Sequence, residues 1–442
     1  MPIAPSAVPR AATPSSGLRR VALRRLPARS GCRSRSSLRR QPRTLSALAS
    51  FEFATANRVV FGRGTFSQVG SILLEGGDTG KSVFVVTGSS NRYARPLLEE
   101  LAGRGVSTVT FSVSGEPSAD TIVEATAAAV AGGCGSVVAI GGGSPIDTGK
   151  AVAALLTNGG DDPDPFDFLE VVGRGQALTQ PSARFVAVPT TAGPGAEVTR
   201  NAVIGAGDRK VSMRSPFMLP AVAVVDPELT LELPPAVTAA TGLDALIQCI
   251  EPFVSSKANP VTDALALQGM KYGAACLRRA YDNGAGDIEA REGMCLCSLL
   301  GGLALANSKL GAVHGFAGVI GGAFPAPHGA VCAALLAPCT RMNLKVLEEL
   351  SQAGDASAQA SLASYDIVAQ TLTGRPNASA EDALPWMEDL VAALDVPGLA
   401  TYGLAEADVP RVCEAAAASS SMQGNPVKLG QPLLEAVLRA AM

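Results

Sequence analysis

An α/β domain built on a parallel sheet, followed by an all-helical domain, is the fold the sequence predicts. Three observations carry that prediction. Short Val-rich runs alternate with Ala/Leu-rich segments from Phe51 to about Asp226, the β-branched runs then stop, and Leu231 to Met442 reads as long helices broken by Gly and Pro. At 442 residues, 47% hydrophobic and 17% charged, the chain has the length of two or three domains and the composition of a protein with a buried core.

Taken in order, the apolar runs Arg58 to Phe61, Val83 to Val86, Ser107 to Val113, Ser136 to Ile140, Phe185 to Val188 and Ala221 to Val225 are the expected strands. Continuous apolar strands between amphipathic segments belong to a sheet covered on both faces. Pro234 to Phe253 and Asn259 to Tyr281 open the helical half. Boundaries at 51–230 and 231–442 leave a cleft between the two halves as the default site. Residues 1–50 belong to neither half.

Those first 50 residues hold eleven Arg and nine Ser but no Asp, Glu or Lys. Of 36 basic residues this leaves 25, against 39 acidic ones, so the remainder carries a net charge near −14. A basic, Ser-rich, acid-free leader predicts a transit peptide with cleavage near Ala47 to Ser50. Its Ser/Pro content and its Ala-Leu-Ala-Ser ending favour the chloroplast over the mitochondrion. A nucleic-acid-binding arm is the competing reading, but the acidic remainder offers no second basic surface, so no nucleic-acid partner is expected.

Eight cysteines outside the leader, without a Cys-x-x-Cys pair and in apolar surroundings, suit buried thiols in a reducing compartment. The most apolar stretch, Met294 to Pro327, is interrupted by Asn307, Lys309 and His314 and reads as core helices, so no membrane association is expected. Two histidines in the whole chain exclude His-rich zinc frameworks and leave little for a Ser-His-Asp triad.

Chemistry begins at Ser136-Val-Val-Ala-Ile-Gly141-Gly142-Gly143-Ser144-Pro145-Ile-Asp147. A strand ends in three glycines, with Ser144 expected as the cap of the next helix and Pro145 at its first position. Glycines admit an anion close to backbone N–H groups, and a helix N-terminus adds its positive end, so the turn suits a pyrophosphate; a ligand-free tight connection is the other reading. Neither the Rossmann nor the Walker pattern is present. A second strand ends in Pro189-Thr190-Thr191-Ala-Gly193-Pro194-Gly195, whose hydroxyls suit a nucleotide or simply a turn.

Both histidines, His314 and His328, lie fourteen residues apart in one Gly/Pro-interrupted stretch. Asp244 sits inside an otherwise apolar helical segment, where an unpaired carboxylate costs several kcal/mol and therefore wants a cation or strong donor. One carboxylate and two imidazoles would hold a divalent metal with an open position. Two core histidines and a helix-paired Asp are the alternative.

Together with Phe51-Glu-Phe-Ala-Thr-Ala, Val60-Phe-Gly-Arg-Gly64, Gly115-Glu-Pro117, Asp226-Pro-Glu-Leu-Thr230 and Ala240-Thr-Gly-Leu-Asp244, these segments resemble the iron-containing (group III) alcohol dehydrogenase family, related to glycerol dehydrogenase and dehydroquinate synthase. The resemblance covers essentially everything after the leader. It implies an N-terminal nucleotide-binding α/β domain, a helical metal and substrate domain, and a homodimer. The reaction it implies is hydride transfer between NAD or NADP and a small alcohol, aldehyde or ketone. Position by position it implies Gly141, Gly142, Gly143 and Ser144 at the pyrophosphate, with Asp147, Thr190, Thr191 and Lys210 as further cofactor contacts. Asp244, His314 and His328 become ligands of Fe2+ or Zn2+, through which they are catalytic.

Three departures qualify it. Where members with four protein ligands carry His, one turn after the Asp, this chain has Gln248, a poorer neutral donor, which leaves it an optional ligand and weakens any preference for iron. A further cleft His of many members is Gly318 here, leaving no histidine as general base. The first core strand ends in Gly88, where NAD-preferring members often place an Asp that repels a 2′-phosphate, so NADP is expected to be tolerated. Reduction of an oxo acid, a dehydroquinate-synthase-like lyase and a nucleotide-binding member without catalysis are the alternatives.

Overall fold

The computed structural model describes residues 50–75, 82–160, 163–207 and 209–442. Apart from Ser50, the expected transit peptide lies outside the described residues. The strands are β1 (Arg58–Phe61), β2 (Ser82–Gly88), β3 (Ser107–Val113), β4 (Cys134–Gly141), β5 (Arg184–Pro189), β6 (Asn201–Ala206), β7 (Arg209–Arg214) and β8 (Val222–Val225). Helices α1 (Val69–Leu74), α2 (Ala94–Gly103), α3 (Ala119–Ala131) and α4 (Gly143–Asn158) alternate with them. From Pro235 the described chain is helical and carries no strand: α5 (Pro235–Val254), α6 (Pro260–Asn283), α7 (Ile288–Asn307), α8 (Ala312–Ala323), α9 (His328–Gln352), α10 (Ala356–Thr373), α11 (Ala383–Ala393), α12 (Val409–Ala418) and α13 (Gln431–Ala440).

All six expected strands enter one parallel sheet in the order β1-β8-β5-β4-β2-β3. Its strands are apolar on both sides because both sides are covered. Val83 and Val85 join Val138 and Ile140 in one core, while Phe84 and Val86 join Val137 and Ala139 in another. The order also locates a crevice. From β2 the chain moves outward to β3, and from β4 it moves the opposite way to β5, so the carboxyl ends of neighbouring β2 and β4 flank the switch point where ligands of such sheets bind.

The hairpin β6–β7 is antiparallel and was not expected from the sequence. Gly205 and the polar run Arg209-Lys-Val-Ser-Met-Arg214 hide its alternation. It is held to the sheet layer by Val203 N–H donating to Asp147 Oδ2 (3.0 Å) and Gly205 N–H to the Pro117 carbonyl (2.8 Å).

In the helical half, α5 is the central element and packs against α6, α7 and α9. By length and composition α5 and α9 are apolar enough to cross a membrane, but 83% and 67% of their apolar windows are buried inside the fold. They are core helices; α7 and α8, which span most of Met294 to Pro327, are together apolar enough as well but are bent by 97° at the break between them.

Candidate metal and nucleotide site

The glycine turn begins where β4 ends. Helix α4 starts two residues earlier than the sequence suggested: Gly142, extended, is its cap, and Ser144 and Pro145 lie within the first turn. No side chain caps that turn, which leaves the N-terminal N–H groups available to an anion. Gly141 is required by packing, since a Cβ there would stand 2.5 Å from the Pro145 ring. Gly88, at the end of β2, faces the same proline across an open 3.9 Å.

The second turn is drawn against the first. Thr190 N–H donates to the Gly141 carbonyl (2.9 Å), and a Cβ on Gly142 would meet the Thr191 methyl at 3.4 Å. The following glycines meet the helical half: a Cβ on Gly193 would come within 2.8 Å of Thr241 on α5, and one on Gly195, whose φ is +61°, within 2.6 Å of Gly302 on α7. Gly141 to Ser144, Thr190, Thr191 and Gly88 therefore gather at the switch point. Asp147 is turned away from it, tied to β6. Lys210 Nζ is paired with Glu116 and reaches α8, where a Cβ on Gly321 would lie 2.7 Å from it.

Beneath the second turn lies a buried ionic group. Lys150 Nζ donates to Thr199 Oγ1 (2.8 Å) and the Asn201 carbonyl (2.8 Å), with Asp147 at 3.5 Å. Burial pushes the nearby Glu197 carboxyl up to about 7, against its own backbone N–H and the Lys150 charge. Unfolded, Glu197 ionises near 4.5; folded, it keeps its proton until about 7. Stability on this account falls as pH rises between those values and stays reduced above them. Glu197→Gln should therefore change little in mild acid and stabilise the protein by about 3 kcal/mol well above neutrality, read as the pH dependence of urea unfolding.

Asp244 on α5, His314 on α8 and His328 at the start of α9 converge, so both histidines come from helices and neither from a loop. His314 Nε2 lies 3.1 Å from Asp244 Oδ1, and His328 Nε2 lies 3.9 Å from it. Asp244 and His314 are buried, while the His328 side chain is 35% exposed. A fourth residue, Cys332, joins them, and one ligand atom from each of the four lies within 4.8 Å of all the others. By sequence alone Cys332 is one apolar-flanked thiol among eight. Its signal was its spacing, one helical turn after His328.

Glu251 completes the surroundings and was likewise missed. Its Oε2 lies 2.7 Å from His314 Nδ1, and its Oε1 accepts from Val313 N–H (2.8 Å) at the N-terminus of α8. A carboxylate at Nδ1 makes that nitrogen the donor and leaves Nε2 to face Asp244, the arrangement that orients a metal-binding imidazole. Burial lowers the His314 pKa, but Cys332, Asp244 and Glu251 raise it further, to well above the ordinary value. Burial likewise opposes the charge on Asp244, and hydrogen bonding from His314 with the nearby His328 outweighs it, holding the carboxyl below its usual range.

Three observations fit this cluster to a divalent cation. Four atoms of metal-ligand type converge, a carboxylate sits behind one imidazole, and Gln248, beside Asp244, has a buried Oε1 without a hydrogen-bond partner. Gly318 on α8 faces open space, with no atom within 4 Å of a Cβ built on it.

Comparison with known proteins agrees with this geometry over the length of the chain. The family model "Iron-containing alcohol dehydrogenase" matches residues 56–227, and "Fe-containing alcohol dehydrogenase family, C-terminal" matches residues 238–442. A 1,3-propanediol dehydrogenase of Klebsiella pneumoniae is 33% identical over 401 residues, 88% of this chain and 98% of its own. An NAD-dependent methanol dehydrogenase of Bacillus methanolicus is 33% identical over 375 residues, 83% of this chain and 93% of its own. The crystal structure of a 1,3-propanediol oxidoreductase superposes with a TM-score of 0.79 at 32% identity, covering 89% of this chain and all of that one. With a parallel sheet ending in a glycine turn, a helical half carrying Asp244, His314 and His328, and matches to both halves, this chain belongs to the iron-containing alcohol dehydrogenase family.

Proposed function

We propose that the protein is a metal-dependent oxidoreductase that transfers hydride between a nicotinamide cofactor and a small alcohol or its aldehyde or ketone. The observation that carries it is the convergence of Asp244, His314 and His328 in a chain whose β2 and β4 ends form a nucleotide crevice. The relatives named as alcohol dehydrogenases, one of them NAD-dependent, support the same reaction class.

When bound, a divalent cation supplies Lewis acidity toward an alcohol or carbonyl oxygen, and a nicotinamide supplies or accepts the hydride. Asp244, His314 and His328 would hold the cation. Gly141 to Ser144 and the uncapped start of α4 would hold the pyrophosphate, and Thr190 and Thr191 line the same crevice. Glu251 retains the Nδ1 proton of His314 and so keeps Nε2 aimed at Asp244. The packing of the second turn on α5 and α7 fixes the distance between crevice and cluster, and Gly318 leaves room for a substrate. With both histidines engaged, the alcohol proton leaves through water, a ribose hydroxyl or another side chain. Measured as NADH and NADPH oxidation with a panel of aldehydes, turnover should vanish on chelation and return with Fe2+ or Zn2+. Absence of turnover with every cation would refute the reading and favour a nucleotide-binding member without catalysis.

Tolerance of NADP belongs to the same proposal. Gly88 leaves the end of β2 without a carboxylate, and a Cβ there would meet only the Pro145 ring, at 3.9 Å. Gly88→Asp should lower kcat/KM for NADPH by about tenfold while sparing NADH. Equal use of both cofactors by the variant would show that Gly88 does not face the 2′-position. Import into a plastid is supported by the composition of residues 1–50, and loss of targeting when that segment is removed is its test.

A further inference from the structure

We propose that Cys332 is a direct thiolate ligand of the divalent cation, which makes the site a carboxylate, two imidazoles and one sulfur. The inference rests on the metal-dependent reading above and adds a ligand to it.

Helix geometry presents the pair. His328 and Cys332 are one turn apart on α9, so their side chains project from the same face, and Cys332 Sγ lies 3.7 Å from His328 Nε2. A tetrahedral cation with ordinary metal–nitrogen and metal–sulfur bonds holds its nitrogen and sulfur ligands about 3.6 Å apart. The observed spacing is thus already that of two ligands of one ion. Asp244 and His314 complete the set, with all four ligand atoms within 4.8 Å of one another.

Charge favours sulfur over the amide at position 248. Cys332 and Asp244 are both fully enclosed, and a divalent charge there is neutralised by one carboxylate and one thiolate. Replacing the thiolate by the neutral Gln248 amide would leave one unit of positive charge among the ligands themselves, balanced only at a distance by the Glu251 carboxylate behind His314. The Gln248 side chain lies beside the Asp244 carboxylate and offers a neutral, poorer donor. On metal entry the Cys332 thiol gives its proton to solvent and its sulfur lone pair to the cation. A sulfur donor also favours zinc over iron.

The test uses the full chain stripped of metal and loaded with Co2+. One cobalt per chain is expected, with a thiolate-to-cobalt charge-transfer band in the near ultraviolet. Cys332→Ser should abolish the band while Asp244, His314 and His328 still bind cobalt, and Cys332→Ala should behave alike, with circular dichroism confirming that both variants fold. One cobalt per chain without the band, or a band that survives in Cys332→Ser, overturns the inference and leaves the metal-dependent reading standing. Failure of the parent protein to bind cobalt overturns both.

Discussion

His314→Ala is expected to lose the cation, from about one ion per chain to almost none, and to lower kcat/KM by roughly a thousandfold or more while nucleotide affinity stays unchanged. His314 is the ligand held from both sides: Nε2 faces Asp244 at 3.1 Å, and Nδ1 is bound by Glu251 at 2.7 Å. Its removal takes away a ligand and also leaves two buried carboxylates without their partner, so stability falls too. His314→Gln is the control, because its amide can still donate toward Glu251. Metal analysis, with nicotinamide fluorescence for cofactor binding, separates the outcomes. Retention of a full complement of metal by His314→Ala would contradict the assignment of this ligand.

The second large effect is expected at Gly329, which carries no functional group. A Cβ there would stand 2.1 Å from the carbonyl oxygen of Ala240 and 2.5 Å from its carbonyl carbon. Both are backbone atoms of α5, so neither can rotate aside, and α9 must move off α5 to admit a methyl group. His328 begins α9 and moves with it. Gly329→Ala should therefore cost about 3 kcal/mol in denaturant unfolding and weaken metal binding together. Gly318→Ala is the matched comparison, since its Cβ meets nothing within 4 Å. That variant should be neutral or stabilised by up to about 1 kcal/mol, because alanine is the better helix former. Equal stability of the two variants would show that the α5–α9 contact yields more readily than its geometry suggests.

Legibility differed from one element to the next. The parallel strands were readable because both faces of the sheet are buried, which makes each strand continuously apolar, as in Val83-Phe-Val-Val86. The hairpin β6–β7 was not readable, since its alternation is broken by Gly205 and by charges that remain partly exposed. The turn from Pro189 to Gly195 suited a nucleotide or simply a turn, and the closest packing of its Gly193 and Gly195 is against Thr241 and Gly302 of the helical half. A tight approach to a ligand and a tight approach to another helix demand the same residue, so composition does not separate them.

Alone, the sequence determined the class of fold and the glycine turn, and it singled out Asp244, His314 and His328 as candidates, with two core histidines and a helix-paired Asp as the alternative. Each rests on local pattern: apolar runs, a strand leading into a helix, and polar groups too costly to bury unpaired. The tertiary structure decided which of these meet. It placed β2 beside β4 and so put Gly88 next to the glycine turn, tied Asp147 to β6, and set Glu251 behind His314. It also brought Cys332 to Asp244, His314 and His328, although its sequence surroundings are those of an ordinary core thiol. Residues 88 and 141, or 244 and 332, become neighbours only through sheet order and helix packing, which are long-range contacts that no local pattern encodes.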